Sequence, residues 1–248
     1  MNIHDYWLIF TNYVKENYDL EDGLIELKYH HTNRVANLMV LIASKMNLAD
    51  KDIMLAYLIG LFHDLGRFEQ VNREHKFTNL HFDHGAYSNK ILFNDNLISK
   101  FEVPTELHLL IRKAVYFHNK KDIPSNLDEY EALFVKMIRD ADKIDIIRVM
   151  SNSYQEFSVP PKNELMEKYL NDDTLDLRLI NNKSEKALLH LSFMKDLSFA
   201  ESFEVLKETG NIESYLNNIN VKEEYKELFD FLVSQIEEKE KKYVKYKI

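Results

Sequence analysis

Glycine and proline are scarce in this chain, with only five glycines and four prolines among 248 residues. Both residue types interrupt helices, so their scarcity favours long helices joined by short connections. We therefore expect an all-α protein. The length and an apolar fraction of 45% allow one large domain with a sizeable core, or two modest ones.

The charge balance and the absence of cysteine limit the possible functions. The chain has 41 acidic and 32 basic residues and a formal charge of −9, which disfavours long nucleic acid or an anionic membrane as a partner. Without cysteine there is no disulfide, thiolate ligand or cysteine nucleophile. We find no targeting segment and no apolar run that could span a bilayer, and therefore expect a cytoplasmic protein without a membrane partner.

Apolar residues at helical spacing predict the order of the elements. The predicted helices cover about residues 4–18, 24–46, 50–63, 84–93, 104–118, 127–150, 163–170, 185–209 and 221–245. Residues 68–83 show no clear period and are predicted to form a loop over the site. Gly210 is expected to end a helix, and residues 217–220 are expected to form a turn.

Two consecutive prolines, Pro160 and Pro161, mark the best candidate domain boundary because they stop any helix. We expect a helical core over residues 1–157 and a helical C-terminal extension over 158–248, packed together as one domain. Residues typical of metal sites become rarer after the proline pair.

The most distinctive segment is His63-Asp64, at the end of an apolar stretch and followed by Gly66 and Arg67. Adjacent side chains on a regular helix point about 100° apart, so this pair can converge on one ion only near a helix end. Gly66 is suited to a positive φ that would turn the chain there.

Several other polar residues interrupt apolar helix faces in the same way. Together with the pair they form the set His31, His63, Asp64, His84, His118 and Asp142. A buried carboxylate costs several kcal/mol unless it is neutralised, and a cation shared with imidazoles is a simple neutraliser. These ligands suit Mn, Fe, Co, Ni or Zn, and Mg less readily.

For some of these six positions, a neighbouring residue is an alternative candidate ligand. His81 is an alternative to His84, and His30 is an alternative to His31, although His30 falls off the stripe of its helix. Asp140 could accept a hydrogen bond from an imidazole, and Asp145 could orient a ligand or contact substrate. We expect His75, His108 and His190 to be ordinary surface or core residues.

The order of these motifs over about residues 24–150 resembles the HD superfamily of metal-dependent phosphohydrolases, which is named for an adjacent His-Asp pair. The matching contexts are His31–Val35, Leu61–Gly66, Asp83–Ser88 and Ile138–Asp145. More narrowly, the chain resembles bacterial HD proteins of about this length that have an additional helical C-terminal part. The resemblance implies a helical bundle fold.

The resemblance also implies roles for the residues. His31, His63, Asp64 and Asp142 would hold one divalent metal, and His84 and His118 a second, with Asp64 bridging the two. Asp64, or the network of metal-bound water that it orders, would be the general base, and Arg67 and then Lys143 would stabilise the charge that develops on phosphate. The expected substrate is a nucleotide or another small phosphorylated metabolite. The alternatives are a mixed-valence di-iron oxygenase and a non-catalytic regulatory module.

Overall fold

The computed structural model describes residues 2–77 and 82–246. The chain divides into two compact units, Met1–Ala141 and Asp142–Ile248. Each unit is built mainly from helices, which confirms the predicted all-α class. Among the described residues, no helix is both long and apolar enough to cross a membrane.

The first unit contains α1 to α6 and the start of α7. Their bounds are Ile3–Asn17, Gly23–Lys45, Asp50–Phe62, Leu65–Glu74, His84–Asn89, His108–Phe117 and Glu129–Ser151 for α1 to α7. A π-helical turn, Lys90–Asn94, continues directly from α5. Two 3₁₀ turns, Leu97–Phe101 and Thr105–Leu107, lead from there to α6.

Helix α3 lies at the centre of the first unit. All residues from Leu55 to Phe62 are buried, so this helix is covered on every side. Helix α2 packs against it through an apolar face that includes Val35, Met39 and Ile42. A helix that is apolar all round belongs in a core, and this central position places the residues after Phe62 in the interior.

The second unit contains the rest of α7, five further helices and two short strands. Helices α8 to α12 cover Asn163–Leu170, Lys183–Lys195, Ala200–Glu208, Asn211–Asn218 and Lys226–Glu240. Strands β1 (Gln155–Phe157) and β2 (Ile219–Val221) pair in parallel, with Gln155 opposite Ile219. Two 3₁₀ turns, Leu177–Leu179 and Glu223–Tyr225, complete the unit.

The predicted loop over residues 68–83 is wrong in its first half. Helix α4 continues to Glu74, because Leu65, Phe68 and Val71 recur every three residues and are all buried. Residues 75–77, 82 and 83 are not helical, and residues 78–81 lie outside the described residues.

In the second unit, the structure divides the chain into helices differently from the prediction. The predicted helix 185–209 consists of α9 and α10, separated by residues 196–199. Gly210 ends α10 with a φ of 66°, as expected, but α11 follows at once. Residues 219 and 220, predicted as part of a turn, belong to β2, and neither strand was predicted.

The division into compact units falls inside α7, between Ala141 and Asp142, whereas the proline pair suggested a boundary near residue 158. A long helix can supply residues to two compact units without any interruption of its sequence pattern. The domain assignment 1–157 and 158–248 stays a prediction.

Candidate metal centre

His63 and Asp64 occupy the two-residue break between α3 and α4. The amide of His63 still donates to the carbonyl of Ile59, and Asp64 then leaves helical geometry with φ −108° and ψ 17°. Both side chains are buried, with exposures of 0% and 3%. The break lets two adjacent side chains face one place, as the sequence predicted.

Four imidazoles surround the Asp64 carboxylate. Its Oδ2 atom lies 3.5 Å from Nε2 of His31 and 3.6 Å from Nε2 of His63. Its Oδ1 atom lies 3.5 Å from Nε2 of both His84 and His118. Each carboxylate oxygen therefore faces its own pair of imidazoles.

The candidate ligands form two groups. His31, His63 and Asp142 form the first, and Asp64, His84 and His118 form the second; the ligand atoms of each group lie within 4.8 Å of one another. Asp142 is the residue after Ala141 on the continuous helix α7. The structure thus brings together all six residues predicted as metal ligands.

Backbone carbonyls orient two of the rings. Nδ1 of His63 lies 2.7 Å from the carbonyl oxygen of Gly60, and Nδ1 of His118 lies 2.7 Å from that of Val115. A carbonyl only accepts, so each Nδ1 carries the proton and donates it. In a neutral ring this leaves the lone pair on Nε2, the atom that faces Asp64.

His84 has a different environment. Its Nε2 atom lies 3.1 Å from Nε2 of His118, and its Nδ1 atom lies 3.2 Å from the side-chain amide nitrogen of Asn119. In this arrangement Nδ1 of His84 accepts from the amide and Nε2 of His84 donates to His118. A cation at Nε2 would require the other tautomer, in which Nδ1 donates to the side-chain oxygen of Asn119. Asn119 was not predicted; its position next to His118 is the only signal in the sequence.

Two cationic side chains also approach Asp64. Nζ of Lys28 lies 2.7 Å from Oδ2, and Nε of Arg67 lies 3.8 Å from Oδ1. Phe77 helps to hold both, since its carbonyl accepts from Arg67 and its ring lies 5.3 Å from the Lys28 ammonium. A role for Lys28 was not predicted from the sequence, although Lys28 precedes His31 by three residues and so lies on the same face of the helix.

The protonation states suit cation binding. Burial opposes ionisation of Asp64, but the charge of Lys28 and the imidazole of His63, with smaller contributions from His118 and His31, outweigh it and hold its pKa well below the usual value. Burial, followed by the nearby charge of Arg67, lowers the pKa of His84 well below its ordinary value. An ionised carboxylate and a neutral imidazole are the forms that bind metal.

Comparison with protein-family models gives a match over residues 29–147 to the family described as HD domain. The matched residues include the whole set of six. These residues form an HD domain. No curated protein and no solved structure matched the chain.

The candidate ligands fit the kind of ion that HD domains bind. HD domains bind divalent metals, and the donor set here consists only of imidazole and carboxylate. The ligands come from five places in the fold: α2, the α3–α4 break, the start of α5, the end of α6 and the middle of α7. The family of the fold and the chemistry of the donor atoms thus both favour a divalent metal.

Gly66 has a role in the HD domain that differs from the predicted one. It lies within α4 and is not among the described residues with positive φ. A Cβ atom at this position would lie 2.3 Å from the carbonyl oxygen of His84 and 2.9 Å from the amide nitrogen of Ser88. Glycine is needed here because α4 and α5 nearly touch.

Ser88 connects the same elements. Its hydroxyl accepts a 2.8 Å hydrogen bond from the amide of Gly66 and donates a 2.9 Å hydrogen bond to the carbonyl of His63. The side chain therefore ties α5 to the break that carries the His-Asp pair. The side chain of Ser88 is fully buried, so water does not compete for these two hydrogen bonds.

Lys143, the third predicted catalytic residue, is engaged by another side chain. Its ammonium contacts Asp196, with 2.7 Å to the carboxylate and a second contact to the carbonyl. Asp145 is likewise engaged locally, because its carboxylate accepts from Arg148 at 2.9 Å. Arg67 and Asp64 are thus the predicted catalytic residues that the structure brings together.

The other histidines among the described residues lie outside the two groups of candidate ligands. His30 and His75 are exposed on the surface, near Glu26 and Asp22 respectively. His108 contacts the carbonyl of Val103. His81, the alternative to His84, lies outside the described residues, and His84 itself is in the second ligand group.

Proposed function

We propose that the HD domain binds two divalent metal ions and hydrolyses a phosphate ester or anhydride of a small phosphorylated metabolite, such as a nucleotide. The observation that carries this proposal is the position of Asp64. Its two oxygens face two separate pairs of imidazoles, all at 3.5–3.6 Å. A carboxylate placed in this way could be shared by two cations.

The assignment of ligands follows the two groups. His31, His63 and Asp142 would hold one ion and His84 and His118 the other, with Asp64 shared. Imidazole and carboxylate suit Mn, Fe, Co, Ni or Zn, and suit Mg less well because Mg favours oxygen and water. A divalent cation supplies a Lewis acid that lowers the pKa of water toward neutrality and so provides a hydroxide nucleophile.

The protein's own cations would bind the substrate. Arg67 and Lys28 flank the two oxygens of Asp64, and their side chains retain exposures of 22% and 14%. They are therefore buried enough for strong charge–charge interactions and still reachable from solvent. A guanidinium and an ammonium on either side of one carboxylate can donate to phosphoryl oxygens as negative charge develops.

Arg67 is held in an orientation that suits this role. One of its terminal nitrogens donates to Oε1 of Gln70 at 2.7 Å and to the carbonyl of Phe77 at 3.1 Å. Gln70 is fully buried, so the guanidinium is fixed by a rigid partner. A pre-oriented cation loses little conformational entropy when a substrate binds.

Metal content tests the proposed centre directly. The variants His63→Ala and Asp64→Ala are each expected to lose bound metal and phosphohydrolase activity together, because each removes a ligand. Purified protein loaded with Mn, Fe, Co, Ni, Zn or Mg would be analysed for metal and assayed on a panel of nucleotides and sugar phosphates. Stoichiometric metal in a double variant lacking both side chains would reject the centre.

Substitution of Arg67 tests the reaction class. Arg67→Ala is expected to lower kcat on phosphate substrates while leaving metal content intact. Arg73→Ala is the matched control, since Arg73 lies on the same helix but is 53% exposed and pairs with Glu69. Equal rates in the two variants would remove Arg67 from the mechanism, and a reaction that required O₂ would favour the oxygenase instead.

A further inference from the structure

A groove lies between α5 with its π-helical turn on one side and α6 on the other. It has a volume of about 500 Å³, within the range of small-molecule sites. Asn89, Lys90 and Asn94 line it from the first side, and Arg112, Lys113 and Tyr116 line it from α6. None of the six candidate metal ligands is among the residues that line this groove.

Asn89 supplies a buried polar atom without a partner. The residue is 7% exposed, and its amide nitrogen donates to the carbonyl of Arg112 at 2.9 Å. Its Oδ1 atom is buried and accepts no hydrogen bond within the described part of the chain. A buried acceptor left in this state destabilises the fold, so a ligand that brings a donor would be favoured.

Arg112 supplies an available positive charge. Its guanidinium stacks on Phe93 at 4.1 Å and forms no ion pair with any described carboxylate. The other two cations of the groove are neutralised, Lys90 by Asp95 and Lys113 by Glu131. The groove therefore carries a local positive charge, although the formal charge of the chain is −9. Stacking on Phe93 fixes the plane of the Arg112 guanidinium, which leaves its N–H groups free to donate to an anion.

The backbone next to the groove is also unusual. Lys90–Asn94 forms a π-helical turn, and both Lys90 and Asn94 line the groove. Such turns are less stable than α-helix and occur frequently at functional sites. Here the wider turn carries the side of the groove that faces α6.

We propose that this groove is a second binding site, specific for a nucleotide and separate from the metal centre. The phosphate would bind Arg112, the base would lie against Tyr116, and an N–H of the base or an O–H of the sugar would donate to Oδ1 of Asn89. Bare phosphate fills only a small part of the volume and does not use the aromatic ring. The proposal does not depend on the metal centre or on hydrolysis.

The position of the groove couples it to the metal centre. Helix α5 begins with His84, and α6 ends immediately before His118. A ligand that sets the spacing of these two helices also sets the spacing of two imidazoles that are now 3.1 Å apart. Occupation of the groove would thus regulate the second group of ligands.

Calorimetry on EDTA-treated protein tests the site. AMP, GMP, CMP, UMP and inorganic phosphate would each be titrated into metal-free wild type. At least one nucleotide is expected to bind, and more tightly than phosphate. Arg112→Gln is expected to weaken that binding about tenfold or more, because a charge-assisted hydrogen bond is lost. Arg112 is exposed, so this variant is expected to fold normally.

Lys136→Gln is the matched control, since Lys136 is exposed on α7 and its loss changes the net charge equally. Unchanged binding in this control supports the site. Equal weakening in both variants would show nonspecific attraction and overturn the proposal. It is also overturned if no nucleotide binds without metal, or if phosphate binds as tightly as every nucleotide.

Discussion

Gly66→Ala tests whether the close approach of α4 and α5 positions the metal ligands. The added Cβ atom would lie 2.3 Å from the carbonyl oxygen of His84, whereas ordinary contacts begin at 3.4 Å. The two helices must therefore separate by about 1 Å, and His84 moves with α5. Overpacking of this kind costs about 1–3 kcal/mol. A displacement of about 1 Å in a reactive site can lower turnover about 100-fold.

Gly23→Ala is the matched control for the same substitution. A Cβ atom at Gly23 has nothing within 4 Å, and the residue lies at the start of α2. This variant is expected to be neutral or to gain up to about 1 kcal/mol, because alanine restricts the unfolded chain.

The assays are urea unfolding and calorimetric titration of the apo-protein with Mn²⁺. Gly66→Ala is expected to unfold at lower urea and to bind the second metal ion more weakly than wild type, while Gly23→Ala shows neither change. If the two variants had equal stability and equal metal affinity, the proposed role of the α4–α5 contact would be refuted.

Three further predictions concern single side chains. Asn119→Ala is expected to weaken binding of the second metal ion about 10–100-fold, because Nδ1 of His84 loses its partner; calorimetry would check this. Lys143→Gln is expected to leave kcat/KM nearly unchanged, since its ammonium binds Asp196. Burial, followed by the charge of Lys186, lowers the pKa of His190 to about 4. The unfolded chain then binds more protons below about pH 6.5, and stability falls by about 2 kcal/mol between about pH 7 and about pH 5. Urea unfolding of His190→Gln, which lacks this proton, should show a shallower pH dependence.

The candidate ligands could be selected from the sequence because each one interrupts a regular pattern. His31 lies on the inner stripe of α2, and His63-Asp64 ends the apolar run of α3, so their burial follows from periodicity alone. The end of α3 was also predicted, since an adjacent ligand pair requires a break.

Other features could not be predicted because they depend on contacts between distant segments. The need for glycine at position 66 comes from α5, which follows a stretch of the chain without helical pattern. Lys143 was assigned by its proximity to Asp142 in sequence, but adjacent helix residues point in different directions, and Asp196 lies 53 residues away. The β1–β2 pair joins residues more than 60 positions apart, and each strand has only three residues.

The contact between Lys28 and Asp64 bears on how the protein matures. Many small metalloproteins remain unfolded until they acquire their ion, because the free energy of metal binding supplies the free energy of folding. Here an internal ammonium already balances the buried carboxylate at 2.7 Å. We therefore expect the chain to fold before any metal ion binds, so that EDTA-treated protein would show the same cooperative urea unfolding as metal-loaded protein.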